Sequence, residues 1–152
     1  MATRKLILET PDEQKTEEAG ASLAPLLREG DVVLLHGELG AGKTCFARGI
    51  LSALHHDGGM RAKSPTYTIL NIYDGVPNVY HYDFYRVEDG GDIVALGLDD
   101  FWGKGICLVE WPKSFCYSLP GRKIDVSIAL TGGGRRIEVT IPDVDETFLQ
   151  SV

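Results

Sequence analysis

The chain has 152 residues, of which 43% are apolar and 24% charged, with 18 glycines and 7 prolines. That is the composition of one globular domain, residues 1–152, able to bury its own core, and it excludes disordered, collagen-like and coiled-coil chains. Fifteen basic against 22 acidic residues leave a net charge of −7, so strong direct binding of RNA or DNA by the chain alone is not expected.

Lys5–Leu8 is a short apolar strand. It runs into Thr10-Pro11-Asp12-Glu13, where Thr10 is placed to cap a helix, Pro11 to occupy its first position and Glu13 to close a capping box. Ala19, Leu23, Leu26 and Leu27 recur at three- and four-residue spacing, which predicts a helix ending near Arg28-Glu29-Gly30-Asp31. Val32–Leu35 has no polar alternation and reads as a strand buried on both faces, as in a parallel sheet. A glycine-rich loop follows, then a helix with Phe46, Ile50, Leu51 and Leu54 on one face, and a loop over His55–Met60. Thr68–Tyr73 and Val79–Tyr85 read as a hairpin through Asp74–Asn78. Glu88–Leu96 suits a short helix, Ile106–Val109 a second buried strand, and Ile124–Leu130 with Arg136–Ile141 a closing pair. The expected architecture is a P-loop NTPase-like three-layer α/β domain with a mixed, largely parallel central sheet, without repeat or linker.

The longest aliphatic run, Val32–Leu35, is far short of a membrane span, and no signal peptide follows Arg4 and Lys5. Cys45, Cys107 and Cys116 show no CxxC spacing, which argues against a disulfide framework or zinc site and for a reducing cytoplasm.

Gly37-Glu38-Leu39-Gly40-Ala41-Gly42-Lys43-Thr44 satisfies the phosphate-loop pattern G-x-x-x-x-G-K-[ST]. Its glycines let successive backbone N–H groups turn inward around an anion, and the following helix adds its positive N-terminal end. Lys43 reaches the β- and γ-phosphates, and the Thr44 hydroxyl ligates Mg²⁺. An incidental glycine turn is the alternative, but the loop follows a buried strand and opens an amphipathic helix, as the chemistry demands. Such a site also needs a carboxylate at the end of a neighbouring buried strand. Ile106-Cys107-Leu108-Val109-Glu110 supplies one in Glu110; Asp99 and Asp100 compete, without a strand before them. Asp100-Phe101-Trp102-Gly103 fits the D-x-x-G of GTPases, but Asn-Lys-x-Asp is absent from the sequence, so ATP is preferred.

Alternation in Val79–Arg86 puts His81, Asp83 and Tyr85 on one face and Tyr80, Tyr82 and Phe84 on the other. A half-buried strand with a polar outer face would read the same way; the functional alternative turns the His/Asp/Tyr face to the nucleotide, with Asp83 reaching Mg²⁺. Ser64-Pro65-Thr66-Tyr67 is either a plain Ser-Pro turn or a switch segment in which Thr66 senses the γ-phosphate or the metal.

These motifs, together with Gly97-Leu98-Asp99-Asp100 and Val109-Glu110-Trp111-Pro112, stand in the order seen in the TsaE (YjeE) family, which the chain resembles over Leu6–Ile141. The resemblance implies a P-loop ATPase required for threonylcarbamoyladenosine at position 37 of ANN-decoding tRNAs. It implies slow ATP hydrolysis alone, association with TsaD and TsaB, and contact with tRNA indirectly through that complex. Carried over residue by residue, it implies a metal site at Thr44, Asp83 and Glu110, catalytic roles for Lys43, Asp83, Glu110 and Thr66, and nucleotide contacts from Glu38, Leu39, Gly40, Ala41, Gly42, Lys43, Thr44 and Cys45. It places Thr10 near the base, Arg135 near the nucleotide and Trp111 over the site. Lys113 departs from the Glu frequent after the Trp-Pro pair, and Cys45 from a second Thr. A nucleotide or small-molecule kinase, and a nucleotide-gated binding module without useful hydrolysis, are the rival readings.

Overall fold

The structure, a computed structural model, describes residues 2–55, 69–88 and 90–144. Seven strands, β1 (Ala2–Thr10), β2 (Val32–His36), β3 (Leu70–Tyr73), β4 (Val79–Asp83), β5 (Ile106–Glu110), β6 (Lys123–Thr131) and β7 (Gly134–Val144), form one sheet in the order β1-β7-β6-β2-β5-β4-β3. The four central strands β6, β2, β5 and β4 are parallel to one another. Antiparallel pairings attach β7 and then β1 at one side and β3 at the other. The expected mixed sheet is there, with its parallel part central.

Helices α1 (Glu13–Leu23) and α2 (Lys43–Leu54) cover one face of the sheet, and α3 (Gly90–Ala95) with the short turns Leu98–Phe101 and Ser114–Ser118 covers part of the other. The unalternated strand β2 explains the layering. Val33 and Leu35 enter the core beneath α1 and α2, while Val32 and Leu34 enter the opposite core with Tyr80, Tyr82, Phe84 and Trp102. The aromatic side of β4 is therefore ordinary core: Tyr82 lies 5.1 Å from Trp102 and 5.3 Å from Phe84 between ring centroids, and its hydroxyl donates to the Leu98 carbonyl.

Three local expectations change. Asp12, not Thr10, caps α1, accepting the Lys15 N–H at 2.9 Å, and Thr10 ends β1 instead. The helix stops at Leu23, earlier than its apolar spacing suggested, because Pro25 has no N–H for the next helical bond; Ala24–Leu26 continues as one 3₁₀ turn. All five residues of β4 are buried, so its polar face is not an outer face. The expected loop over His55–Met60 lies outside the described residues from position 56 on.

The α1–α2 contact depends on two glycines. A methyl on Gly49 would land on the Glu17 carbonyl, and one on Gly20 on the Phe46 carbonyl, both unyielding backbone. Gly49→Ala is accordingly expected to destabilise the fold by about 2–4 kcal/mol despite alanine's better helix propensity, since overpacking against backbone outweighs the ~1 kcal/mol propensity gain. A thermal melt checks it: an unchanged or raised midpoint would show that the helices can part without cost.

Candidate functional site: a phosphate loop facing two carboxylates

The C-terminal ends of β2, β5 and β4 lie side by side, which in an open parallel sheet is where ligands bind. β2 delivers the loop Gly37–Gly42, and α2 begins at Lys43 with Gly42 as its N-cap in the left-handed region, φ 115°. Gly37 and Gly40 also have positive φ, so the loop backbone takes turns that L side chains resist. Beside it opens a cleft of about 230 Å³ lined by Leu39, Gly40, Gly42, Lys43, Thr44, Cys45, Asp83, Glu110, Trp111 and Arg135, with Glu13 and Arg48.

Lys43 is only 4% exposed. Its Nζ donates to the carbonyls of Gly37 at 2.6 Å and Glu38 at 3.0 Å and lies 3.8 Å from the Trp111 ring centre. Burial lowers its pKa from the ordinary lysine value, while the charges of Glu110 and Asp83 oppose that shift. Trp111 reaches this position through an unusual backbone: its φ of 58° is left-handed, and its ring also packs on Tyr85 with centroids 4.8 Å apart. Such a conformation in a bulky residue costs on the order of 1–3 kcal/mol and persists only where its surroundings hold it.

On the metal side, the Thr44 hydroxyl donates to Glu110 Oε1 at 2.8 Å. Glu110 Oε2 meets His81 Nε2 at 2.6 Å, and both side chains are buried, 3% and 1% exposed. Asp83 stands opposite Glu110 in the β4–β5 register and accepts the Tyr85 N–H at 2.9 Å. Register explains the grouping: His81, Asp83 and Glu110 share the sheet face that carries Val79, Ile106 and Leu108, beneath α2.

Among the described residues no group of three His, Cys, Asp or Glu side chains is placed to hold a metal. The donors present are a hydroxyl and two carboxylates. Such a hard, incomplete oxygen set suits Mg²⁺, which keeps waters and takes the remaining ligands from phosphates, rather than zinc or a fully protein-bound ion.

The loop residues, Cys45, Asp83, Glu110, Trp111 and Arg135 are thus brought together at one cleft, whereas Thr10 borders a separate groove with Glu9, Pro11, Thr131, Gly133 and Gly134. Arg135 lines both and donates to the Ala41 carbonyl at 2.7 Å; the Thr10 hydroxyl is turned inward to Thr16 Oγ1, 2.7 Å away. Glu38 and Ala41 belong to the loop but line its far side, with Ile128 and Leu130. Asp99 and Asp100 sit in the 3₁₀ turn Leu98–Phe101 and do not line the cleft. Thr66, with Ser64–Tyr67, lies outside the described residues. Sequence reasoning did not place Glu13 and Arg48 at the cleft. Arg48 had a signal, since it stands four residues after Thr44 on one helix face; Glu13 had none, because the β1–α1 junction meets α2 only in three dimensions. Cys45 Sγ marks that meeting, donating to the Glu13 carbonyl at 3.0 Å.

Comparison with known proteins gives a consistent result. The family model described as "Threonylcarbamoyl adenosine biosynthesis protein TsaE" matches residues 10–137. A tRNA threonylcarbamoyladenosine biosynthesis protein TsaE of Bacillus subtilis is 37% identical over 148 residues, covering 95% of this chain and 90% of its own length. The protein of that name from Treponema pallidum is 36% identical over 131 residues, 84% of this chain and 93% of its own. The crystal structure of YdiB from Bacillus subtilis superimposes with a TM-score of 0.72 at 30% identity, covering 99% of this chain and 93% of that one.

Proposed function

The chain belongs to the family of the threonylcarbamoyl adenosine biosynthesis protein TsaE, and from that premise we propose that it is a Mg²⁺-dependent ATPase of the cytoplasm. In this reading it serves threonylcarbamoylation of adenosine 37 in ANN-decoding tRNAs, working with TsaD and TsaB and meeting tRNA through them. The relatives' names support the place in tRNA threonylcarbamoyladenosine biosynthesis. The observation that carries the ATPase reading is the bond from the phosphate-loop hydroxyl of Thr44 to Glu110 at the end of the adjacent parallel strand. A metal-assisted phosphoryl site needs a loop hydroxyl and a strand-end carboxylate at this spacing.

Each residue then has work to do. The loop N–H groups and the start of α2 cradle the phosphates. Lys43 exchanges its carbonyl partners for phosphate oxygens. Thr44, Glu110 and Asp83 would hold Mg²⁺, which would neutralise charge building on the phosphate oxygens. A water attacks the γ-phosphorus in line, the bond to the β–γ bridging oxygen breaks, and ADP and inorganic phosphate leave. Glu110 or Asp83 orients that water, and Trp111 covers the phosphate end. Arg86 is exposed and does not line the cleft. Arg48 and Arg135 line it, but Arg135 is held on the Ala41 carbonyl and Arg48 lies 3.7 Å from Glu17, so neither stands free as the stabilising arginine of fast P-loop enzymes. Such a group is worth about 10³–10⁵ in rate, and its supply by a partner accounts for slow hydrolysis alone.

Phosphate release from ATP and Mg²⁺ tests this, measured for the purified chain alone and with TsaD, TsaB and tRNA. The expected result is slow release alone and at least about a 10³-fold rise in the complex, the low end of what a supplied arginine gives. Equal rates would remove the partner-activated reading, and transfer of phosphate to an acceptor instead of water would make the chain a kinase.

A further inference from the structure

We propose that His81 is a positioning residue for the metal side of the site: its imidazole holds Glu110 so that the carboxylate's other oxygen stays on Thr44. The inference rests on the reading of the site as one for Mg²⁺ and a nucleoside triphosphate, and gives a task to a side chain that phosphate binding does not itself require.

The geometry is specific. His81 and Glu110 lie on neighbouring parallel strands, with His81 opposite Leu108 and Asp83 opposite Glu110, so the contact runs diagonally across the β4–β5 pair on the face beneath α2. Nε2 and Oε2 are 2.6 Å apart, and both side chains are buried, Glu110 at the wall of the cleft. A carboxylate that accepts from both neighbours takes the Thr44 hydroxyl on one oxygen and the His81 Nε2–H on the other. Nδ1 is buried and has no hydrogen-bond partner among the described residues. Among the described residues the ring's hydrogen bond is to Glu110. A histidine retained for packing would have no reason to stand in a sheet interior with one nitrogen unsatisfied. Glu110 in turn has a donor on each oxygen, Thr44 on one and His81 on the other, which fixes the carboxylate plane that a single contact would leave free to turn. Supporting shells of this kind set how well a metal ligand performs without touching substrate.

The test uses two polar replacements that differ in where the amide N–H sits. In His81→Gln it falls near Nε2, within reach of Glu110; in His81→Asn it falls near Nδ1 and leaves Glu110 with Thr44 alone. Nucleotide binding is followed by Trp111 fluorescence while Mg²⁺ is titrated into metal-stripped protein with ATP, alongside steady-state kcat and KM. His81→Asn is expected to raise the half-saturating Mg²⁺ and lower kcat by about tenfold each, with KM for ATP within about twofold, and His81→Gln to restore most of both. Identical behaviour of the two variants, whether native or equally impaired, overturns the proposal. Imidazole ¹⁵N spectra of the unsubstituted chain give a reading that depends on no variant. A slowly exchanging Nε2–H at His81 is expected, and an Nδ1–H tautomer overturns it. A wild-type chain without Mg²⁺-dependent nucleotide binding would remove the ATPase reading instead, while the ¹⁵N spectrum would still report the contact.

Discussion

Replacing Lys43 by alanine is expected to lower ATP turnover about 10²–10⁴-fold, because two charge-assisted hydrogen bonds of ~1.5–3 kcal/mol each are lost from the transition state. The fold should barely register the change. Lys43 is buried, with its ammonium held by the Gly37 and Glu38 carbonyls and the Trp111 ring. Removing it forfeits those contacts, about 1 kcal/mol apiece, but also relieves the desolvation of a cation that is costly to keep from water. The two nearly cancel, so the thermal midpoint should stay within about 5 °C for a chain of this size. Lys43→Arg separates charge from placement. It keeps the charge, but its planar guanidinium is too broad for the space between two loop carbonyls and an indole, and the expected loss is nearly as large as for alanine. Full turnover in the alanine variant would refute the phosphate-loop assignment; wild-type turnover in the arginine variant would reduce the lysine's role to charge alone.

The phosphate loop was legible because its whole logic is local: a buried strand, glycines where φ must be positive, and a helix start within a few residues. A parallel part of the sheet was legible in the unalternated runs of β2 and β5, which a sheet covered on both faces accommodates, but that β4 and β6 flank them in parallel was not. What depends on tertiary placement was not legible. Polar alternation in β4 fitted both a solvent-facing strand and a face turned to the nucleotide, and only burial separates them: His81 and Asp83 are buried, because that face looks under α2 at Glu110. The caps were misread because Thr10 and Asp12 are both capable acceptors, and the choice depends on which one the β1–β7 ladder leaves over. Thr10 pairs with Arg135, so Asp12 takes the helix. The left-handed backbone at Trp111 has no signature in composition or spacing, although it is what lays the indole on Lys43. The bond from Thr44 to Glu110 spans 66 residues and that from His81 to Glu110 spans 29. Motif order suggested that these groups meet, but only the register of β2, β5 and β4 fixes which atoms face one another.

That register also separates the two carboxylates by experiment. Glu110 sits on β5, the immediate neighbour of the loop strand β2, and takes the Thr44 hydroxyl; Asp83 is one strand further out, on β4. Glu110→Gln is therefore expected to weaken the Mg²⁺ dependence of turnover more than Asp83→Asn, with kcat falling about 10²–10³-fold as a charge against the ion is lost in a dry site. The glutamine is isosteric and meets both neighbours in one orientation: its oxygen accepts the His81 Nε2–H and its NH₂ donates to the Thr44 hydroxyl, which accepts as readily as it donates. In that orientation the Thr44 oxygen takes a hydrogen bond where the carboxylate would have left it free for the metal, while His81 keeps its contact. Both contacts persist without the carboxylate's charge, a loss of about 1 kcal/mol, so the thermal midpoint should fall by roughly 2–4 °C. Asp83→Asn should spare stability, because its oxygen can still accept the Tyr85 N–H. A Glu110→Gln variant with native Mg²⁺ dependence would move the metal to Asp83.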